Sequence, residues 1–323
     1  MKKMLKIIGI VLLIIIILIA LAIVKILKVA KERNDNYYKY STTEGIIEKK
    51  YTAMGSLDVS SKEYNAENET IGKYVVYYPT ELNKKYPVVL WANGTGSTSS
   101  TYTSFFKHLA SWGFIVVGND DQNTRSGASL NSGIDLLIKE NSDSNSIFNN
   151  KIDLKNIGIG GHSQGGPAVF NMATNQTHKD MIKAVYAVSA TSSYHTKIYG
   201  GDWIYDISKV NVPTLMTAGT GAFDAGSATT KEQVNDDSKG IAQGICPLWS
   251  LEENYSLLPD SIDKVFVRKT NTDHGNSYTE FDGYMTAWFM YYLQNNEEAG
   301  KAFTINGELS NNNLYQDVKT NIQ

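Results

Sequence analysis

The chain opens with its most apolar stretch. Ile7 to Val24 reads IIGIVLLIIIILIALAIV, 18 residues without a charge, which as a helix spans about 27 Å, close to the hydrocarbon thickness of a bilayer. A core helix of a soluble domain keeps one polar face, and this run has none. Residues 1–24 are therefore read as a transmembrane anchor that reaches the membrane through residues 7–24. The alternative is a cleaved signal peptide, because Lys2, Lys3 and Lys6 precede the run and Ala20-Leu21-Ala22 offers small residues for cleavage. The run is long for a signal and crosses the alanines without a polar break. Lys25, Lys28, Lys31 and Arg33 balance the charges on the near side, so the positive-inside rule leaves the orientation open. The signal-like start places the body outside the cytoplasm, on the cell membrane, or secreted if the segment is removed.

Residues 25–50 are polar and rich in Tyr and Lys, and read as a juxtamembrane linker. Residues 51–323 contain no repeat and no second linker, as expected of one domain. Tyr51 to Val59 and Lys73 to Tyr78 read as a leading antiparallel pair of strands. PVVLWAN, residues 87–93, is a continuous apolar run of the kind buried on both faces of a sheet. Phe105, Phe106, Leu109 and Trp112 recur at helical spacing, and Gly113 stops that helix before a second buried strand, Phe114 to Gly118. The alternation continues with a helix near Ser132 to Glu140, a strand Ile157 to Gly160, a helix after Gln164, and strands Ala184 to Val188, Thr214 to Ala218 and Lys264 to Arg268. A last helix aligns Phe281, Met285, Trp288, Phe289 and Tyr292. This pattern predicts an α/β domain with a mostly parallel central sheet and helices on both faces.

Charge changes the picture in one respect. The 323 residues carry 30 Lys+Arg and 33 Asp+Glu, but residues 1–33 hold seven bases and one acid. The body is thus acidic and lacks the basic footprint of a nucleic-acid binder. The single Cys246 excludes an intrachain disulfide and Cys-rich metal knuckles. Nothing in the pattern specifies an oligomeric state.

The candidate chemistry centres on Gly160-Gly161-His162-Ser163-Gln164-Gly165-Gly166. Gly161, Ser163 and Gly165 form G-x-S-x-G between a buried strand and a helix, the setting of a nucleophile elbow. In so tight a turn the serine backbone is strained, and the flanking positions need to lack side chains. An alcohol at neutral pH needs a base, and that base needs an orienting acid. Of the five histidines, His108 lies in a helical run, His162 neighbours the elbow and His178 lies in a polar loop. His274, in Thr272-Asp273-His274-Gly275 at the carboxyl end of the last buried strand, is the expected base. His195 is the second candidate. The acid is expected between nucleophile and base in the chain, and Asp224 in the turn after the Thr214 strand is chosen. Asp202 and Asp206 are alternatives, whereas Asp273 is unsuited because adjacent side chains diverge. The backbone N–H groups of Gln164 and of Thr95, in Asn93-Gly94-Thr95-Gly96, are the expected oxyanion donors. A rival reading of Gly94-Thr95-Gly96 with Asp120 as a dinucleotide fingerprint lacks its third glycine, because Ser99 stands there. Tyr194, Trp203, Tyr205 and Trp249 are candidates for an apolar acyl pocket or for plain packing.

These features together, with the terminal G-Y-M-T-A-W-F helix at Gly283 to Phe289, resemble the α/β-hydrolase superfamily over about residues 51–323. Within it the chain is similar to the dienelactone hydrolase, cutinase or polyester hydrolase, and chlorophyllase group. The resemblance implies an α/β-hydrolase fold, Ser163 as nucleophile, His274 as base, Asp224 as its partner, Thr95 and Gln164 as oxyanion donors, and no cofactor or metal. It implies a serine-dependent carboxylic ester hydrolase working through an acyl-enzyme on a small or polymeric ester. Acyl transfer, peptide hydrolysis, or a non-catalytic tethered binding protein are the alternatives. The chain departs from dienelactone hydrolases in having no elbow Cys. It departs from bacterial polyester hydrolases in lacking a C-terminal disulfide and a Trp in Ser189 to Tyr194.

Overall fold

A computed structural model describes residues 2–235 and 243–323. The chain divides into two compact units at Tyr40 and Ser41. The first contains helix α1, Lys2–Asp35, in which Leu12–Asp35 is long and apolar enough to cross a membrane and presents no buried residue. The helix runs without interruption through residues 25–35, which had been read as the start of a linker, because this part of the chain holds no proline or glycine to stop it.

The second unit is built on one nine-stranded sheet. Its elements begin with α2 (Ile46–Thr52), β1 (Val59–Asn65), β2 (Lys73–Pro79), β3 (Tyr86–Ala92), α3 (Thr103–Ser111), β4 (Ile115–Asn119) and α4 (Ala128–Ser142). They continue with β5 (Ile152–His162), α5 (Gly165–Asn175), β6 (Ile182–Val188), α6 (Ser193–Tyr199), β7 (Thr214–Gly219), α7 (Ala222–Ala225) and α8 (Leu248–Leu257). The last are β8 (Lys264–Lys269), α9 (Ser277–Glu280), α10 (Asp282–Gln294), α11 (Glu297–Gly300) and β9 (Tyr315–Thr320). Strand order is β1-β2-β4-β3-β5-β6-β7-β8-β9. The run from β4 to β8 is parallel, and β1, β2 and β9 add antiparallel edges. This is the α/β-hydrolase architecture expected from the alternation of buried runs.

Alternation along β3 shows why both faces are covered. Val88, Leu90 and Ala92 pack with Ile134 and Leu137 of α4 and Ala168 and Phe170 of α5. Trp91, facing the other way, packs its ring 4.5 Å from Phe105 of α3 and 6.3 Å from Tyr186 of β6. A strand buried on both sides needs a continuous apolar run, which is what residues 86–92 supply.

Two expectations are corrected near the start of this unit. Residues 51–58 do not open a strand, and residues 46–50 do not belong to a linker. They form α2 and the turn leading to β1, which starts at Val59. Ile47 and Tyr51, four residues apart, are buried on one side of α2. Its free N-terminal N–H groups are satisfied from far away, since Glu308 accepts from Ile47 N at 2.8 Å and Glu48 N at 2.9 Å. Glu48 is itself buried beside Lys269 at 3.5 Å and accepts from the Tyr315 hydroxyl at 2.5 Å. Lys269 also donates to the carbonyls of Thr42 at 2.8 Å and Glu280 at 2.7 Å. Glu48 also caps the helix locally, accepting from the N–H groups of Glu44 at 2.9 Å and Gly45 at 3.3 Å, but the remaining partners lie far away in the chain.

Candidate active site

Ser163 occupies the point where β5 ends and α5 begins, with φ at +60°. An L-residue pays for that left-handed conformation, and here the surroundings impose it. A Cβ on Gly161 would lie 2.1 Å from the Gly165 carbonyl oxygen, and one on Gly165 would lie 2.3 Å from that of Ala92. Only glycines let strand, turn and helix pass so closely. The Ser163 N–H donates to Val188 at 3.1 Å and its carbonyl accepts from Gly166 at 2.9 Å and Thr191 at 3.1 Å.

The fold brings three of the expected side chains together. His274 Nε2 lies 3.0 Å from Ser163 Oγ, and His274 Nδ1 lies 2.8 Å from Asp224 Oδ1. Asp224 is fully buried, follows β7 and lies in the first turn of the short helix α7. Its other oxygen accepts from the Ser189 hydroxyl at 2.6 Å and the Gly219 N–H at 2.8 Å. A carboxylate without solvent needs such donors, and one oxygen is thereby left for the imidazole. Ser189 stands at the end of β6 and is a site residue the sequence reading did not identify; its polarity in an otherwise apolar strand end is the signal that marks it.

Of the two expected oxyanion donors, Gln164 follows Ser163 directly and is fully buried. Its side-chain amide donates to the Gln122 carbonyl at 2.7 Å, and Gly96 N–H donates to the same oxygen at 3.2 Å. That shared acceptor ties the loop bearing Thr95 to the start of α5. Gly94 N–H is occupied by the Tyr102 hydroxyl at 2.9 Å, whereas Thr95 is exposed. A Cβ on Gly94 would sit 3.6 Å from Ser163 Cβ, so the loop runs directly beside Ser163.

The other candidates lie elsewhere. His195 is buried, bonds the Ser192 hydroxyl at 2.9 Å, and has its imidazole held below the usual range by burial. His108 is fully buried 2.9 Å from Asp282; burial opposes its charge, but the Asp282 charge and hydrogen bond together with the backbone of Ala53 and Thr52 raise the imidazole above its usual range. His178 pairs with Asp135 at 2.7 Å at the surface. Asp206 pairs with Lys209 at 2.8 Å, and the Asp202 carbonyl accepts from Asn171. Asp120 is half-buried and its carboxylate is taken up by Ser99, accepting from its N–H at 3.1 Å and its hydroxyl at 2.5 Å. Tyr205 packs on Phe170 of α5, and Trp249 with Ala228 and Tyr194 forms a small apolar cluster. Phe223, which the sequence reading passed over, is 47% exposed and lays its ring 5.2 Å from that of His274, giving the base an apolar neighbour on its open side.

The chain is 25% identical to cutinase est1 of Thermobifida alba over 72% of this chain and 67% of the relative. It is 24% identical to cutinase 2 of Thermobifida cellulosilytica over 78% and 85%. Lipase 1 of a Moraxella species is 26% identical over 56% and 52%. A family model described as PET hydrolase-like matches residues 39–238, more than half of the chain and inclusive of the elbow and the Asp224 turn. That match makes the chain a member of the PET hydrolase-like family, a serine hydrolase of ester bonds.

Proposed function

We propose that the domain from Ser41 onward hydrolyses carboxylic esters through a Ser163–His274–Asp224 triad and an acyl-enzyme. Ser163 Oγ attacks the ester carbonyl carbon while His274 Nε2 takes the hydroxyl proton. The C–O bond to the alcohol then breaks and the same nitrogen returns the proton to the leaving oxygen. Water, deprotonated by His274, attacks the acyl-enzyme and releases the acid. Asp224, accepting from Nδ1, keeps Nε2 free to accept and stabilises the imidazolium as it forms. The N–H groups of Thr95 and Gln164 receive the oxyanion. The observation that carries this reading is the unbroken contact from Asp224 through His274 to Ser163 Oγ, at 2.8 and 3.0 Å.

The substrate is taken to be a carboxylic ester, a small molecule or a polymer, a reading supported by relatives named as cutinases and a lipase. The α1 helix is proposed to hold the enzyme at the cell membrane with the catalytic domain outside the cytoplasm. Alkaline carbonate extraction that frees the full-length protein from membranes would count against the anchor.

A fluorophosphonate probe is expected to label the wild-type protein and to leave Ser163→Ala unlabelled. Hydrolysis of p-nitrophenyl esters by the variant should fall about 10⁴- to 10⁶-fold. Retained turnover or labelling in folded Ser163→Ala would refute the nucleophile.

A further inference from the structure

The turn that carries His274 also carries Asp273, whose carboxylate faces main chain instead of the imidazole. Its Oδ1 accepts the N–H of Asp224 at 2.8 Å and the N–H of His274 at 2.8 Å. Its Oδ2 lies 3.2 Å from the N–H of Phe223. Phe223 and Asp224 stand in the first turn of α7, where N–H groups have no partner within the helix. Asp273 fills them from a loop some 50 residues away in sequence. The two turns also touch through Gly221 N–H, which donates to the Thr272 carbonyl at 2.8 Å. A Cβ on Gly221 would come within 2.3 Å of Asp273 Cγ, so this approach excludes any other residue there. Burial opposes the charge on Asp273, but the backbone donors of His274, Asp224 and Phe223 prevail and hold the carboxyl below its usual range.

We propose that Asp273 is a positioning residue for the ester-cleaving site. By gathering the main chains of Asp224 and His274 onto one carboxylate oxygen, it sets the separation of their side chains. This rests on the proposed triad. General-base catalysis is sensitive to that separation, because the imidazole must be held in one tautomer and one orientation while the proton moves. Adjacent side chains diverge, which is why Asp273 cannot orient the ring directly. It acts on the backbone that carries both partners.

The test compares Asp273→Ala, Asp273→Asn and Asp273→Glu in the full-length protein, with kcat expressed per site titrated by a fluorophosphonate and measured well below each melting temperature. Asp273→Ala is expected to lower kcat about 30- to 100-fold, the cost of a misplacement near 1 Å, with KM within about twofold. The low-field proton resonance of the His274 Nδ1–H to Asp224 bond should shift or broaden, which a purely structural role would not produce in folded protein. Asp273→Asn keeps an Oδ1 for both N–H groups and should recover most of kcat. Asp273→Glu keeps the charge but moves it by a methylene, and should fall below Asp273→Asn. Folded Asp273→Ala with unchanged kcat and resonance would overturn the proposal. So would Asp273→Glu exceeding Asp273→Asn, an order readable even if the alanine variant does not fold. A mistaken triad shows itself separately, as activity surviving in Ser163→Ala.

Discussion

His162 Nε2 donates to the main-chain carbonyl of His274 at 2.9 Å. A carbonyl oxygen only accepts, so Nε2 carries the proton and Nδ1 is the acceptor of the neutral ring. Nδ1 lies 3.3 Å from the Tyr102 hydroxyl, which in turn accepts from Gly94 N–H. The loop beside Ser163 is thereby linked through two buried side chains to the turn that carries His274. Burial, reinforced by the neighbouring His274, pushes the His162 imidazole down to about 3.

That value has a consequence for stability. Below the unfolded value of about 6.5 the unfolded chain binds a proton at His162 that the folded protein refuses until about pH 3. Stability therefore falls with falling pH across this window, by up to about 1.4 kcal/mol per pH unit. Urea unfolding at pH 7 and pH 5 should show the advantage of wild type over His162→Gln shrinking by about 2 kcal/mol. An advantage that stays constant between the two pH values would show that His162 is not held neutral.

The positive φ of Ser163 predicts a trade of stability against activity. Ser163→Ala and Ser163→Gly both remove the hydroxyl, but only glycine relaxes the left-handed backbone. Ser163→Gly should unfold about 1 kcal/mol later than Ser163→Ala in urea, both inactive. Equal stability would mean that the elbow stores no strain.

Lys269 and Glu48 are nearly solvent-free, with side-chain exposures of 2% and 1%. Breaking a buried pair leaves the surviving charge without compensation. Lys269→Met should cost about 3–5 kcal/mol as measured by denaturant unfolding. A loss under 1 kcal/mol would show that Glu48 is not left as an uncompensated buried charge.

Chain truncation tests where the catalytic unit starts. Removing residues 1–40 should leave a folded, ester-hydrolysing protein, because the second unit begins at Ser41. Removing residues 1–52 takes away α2 and the Glu48 carboxylate and exposes the face that Ile47 and Tyr51 cover; this form should be insoluble or molten in circular dichroism. Equal folding of both truncations would show that α2 is dispensable.

The elbow could be read in advance because its requirements are local: Gly161 and Gly165 clear a turn whose geometry is written in a few adjacent residues. The buried strands 86–92, 115–119 and 214–219 were legible for a similar reason, since a strand covered on both faces leaves a continuous apolar run. Helix α2 is short, and although Glu48 caps it locally, much of what holds it comes from Glu308, Lys269 and Tyr315, all more than 200 residues away. Strand β9 hid for a related reason: as an outer strand it exposes Gln316, Asp317 and Lys319 and shows little hydrophobic pattern.

By itself, the order of residues determined the class of fold, the position of Ser163 and the presence of a membrane-length helix, because each depends on neighbours within a turn or a strand. Which carboxylate meets the His274 imidazole was a different kind of question. Asp202, Asp206, Asp224 and Asp273 are equivalent as residue types, and only the parallel ordering of β6, β7 and β8 brings one carboxylate to Nδ1 and another to the backbone beneath it. Such choices belong to tertiary structure, since a hydrogen bond is set by distances of tenths of an ångström between groups whose sequence separation carries no distance at all.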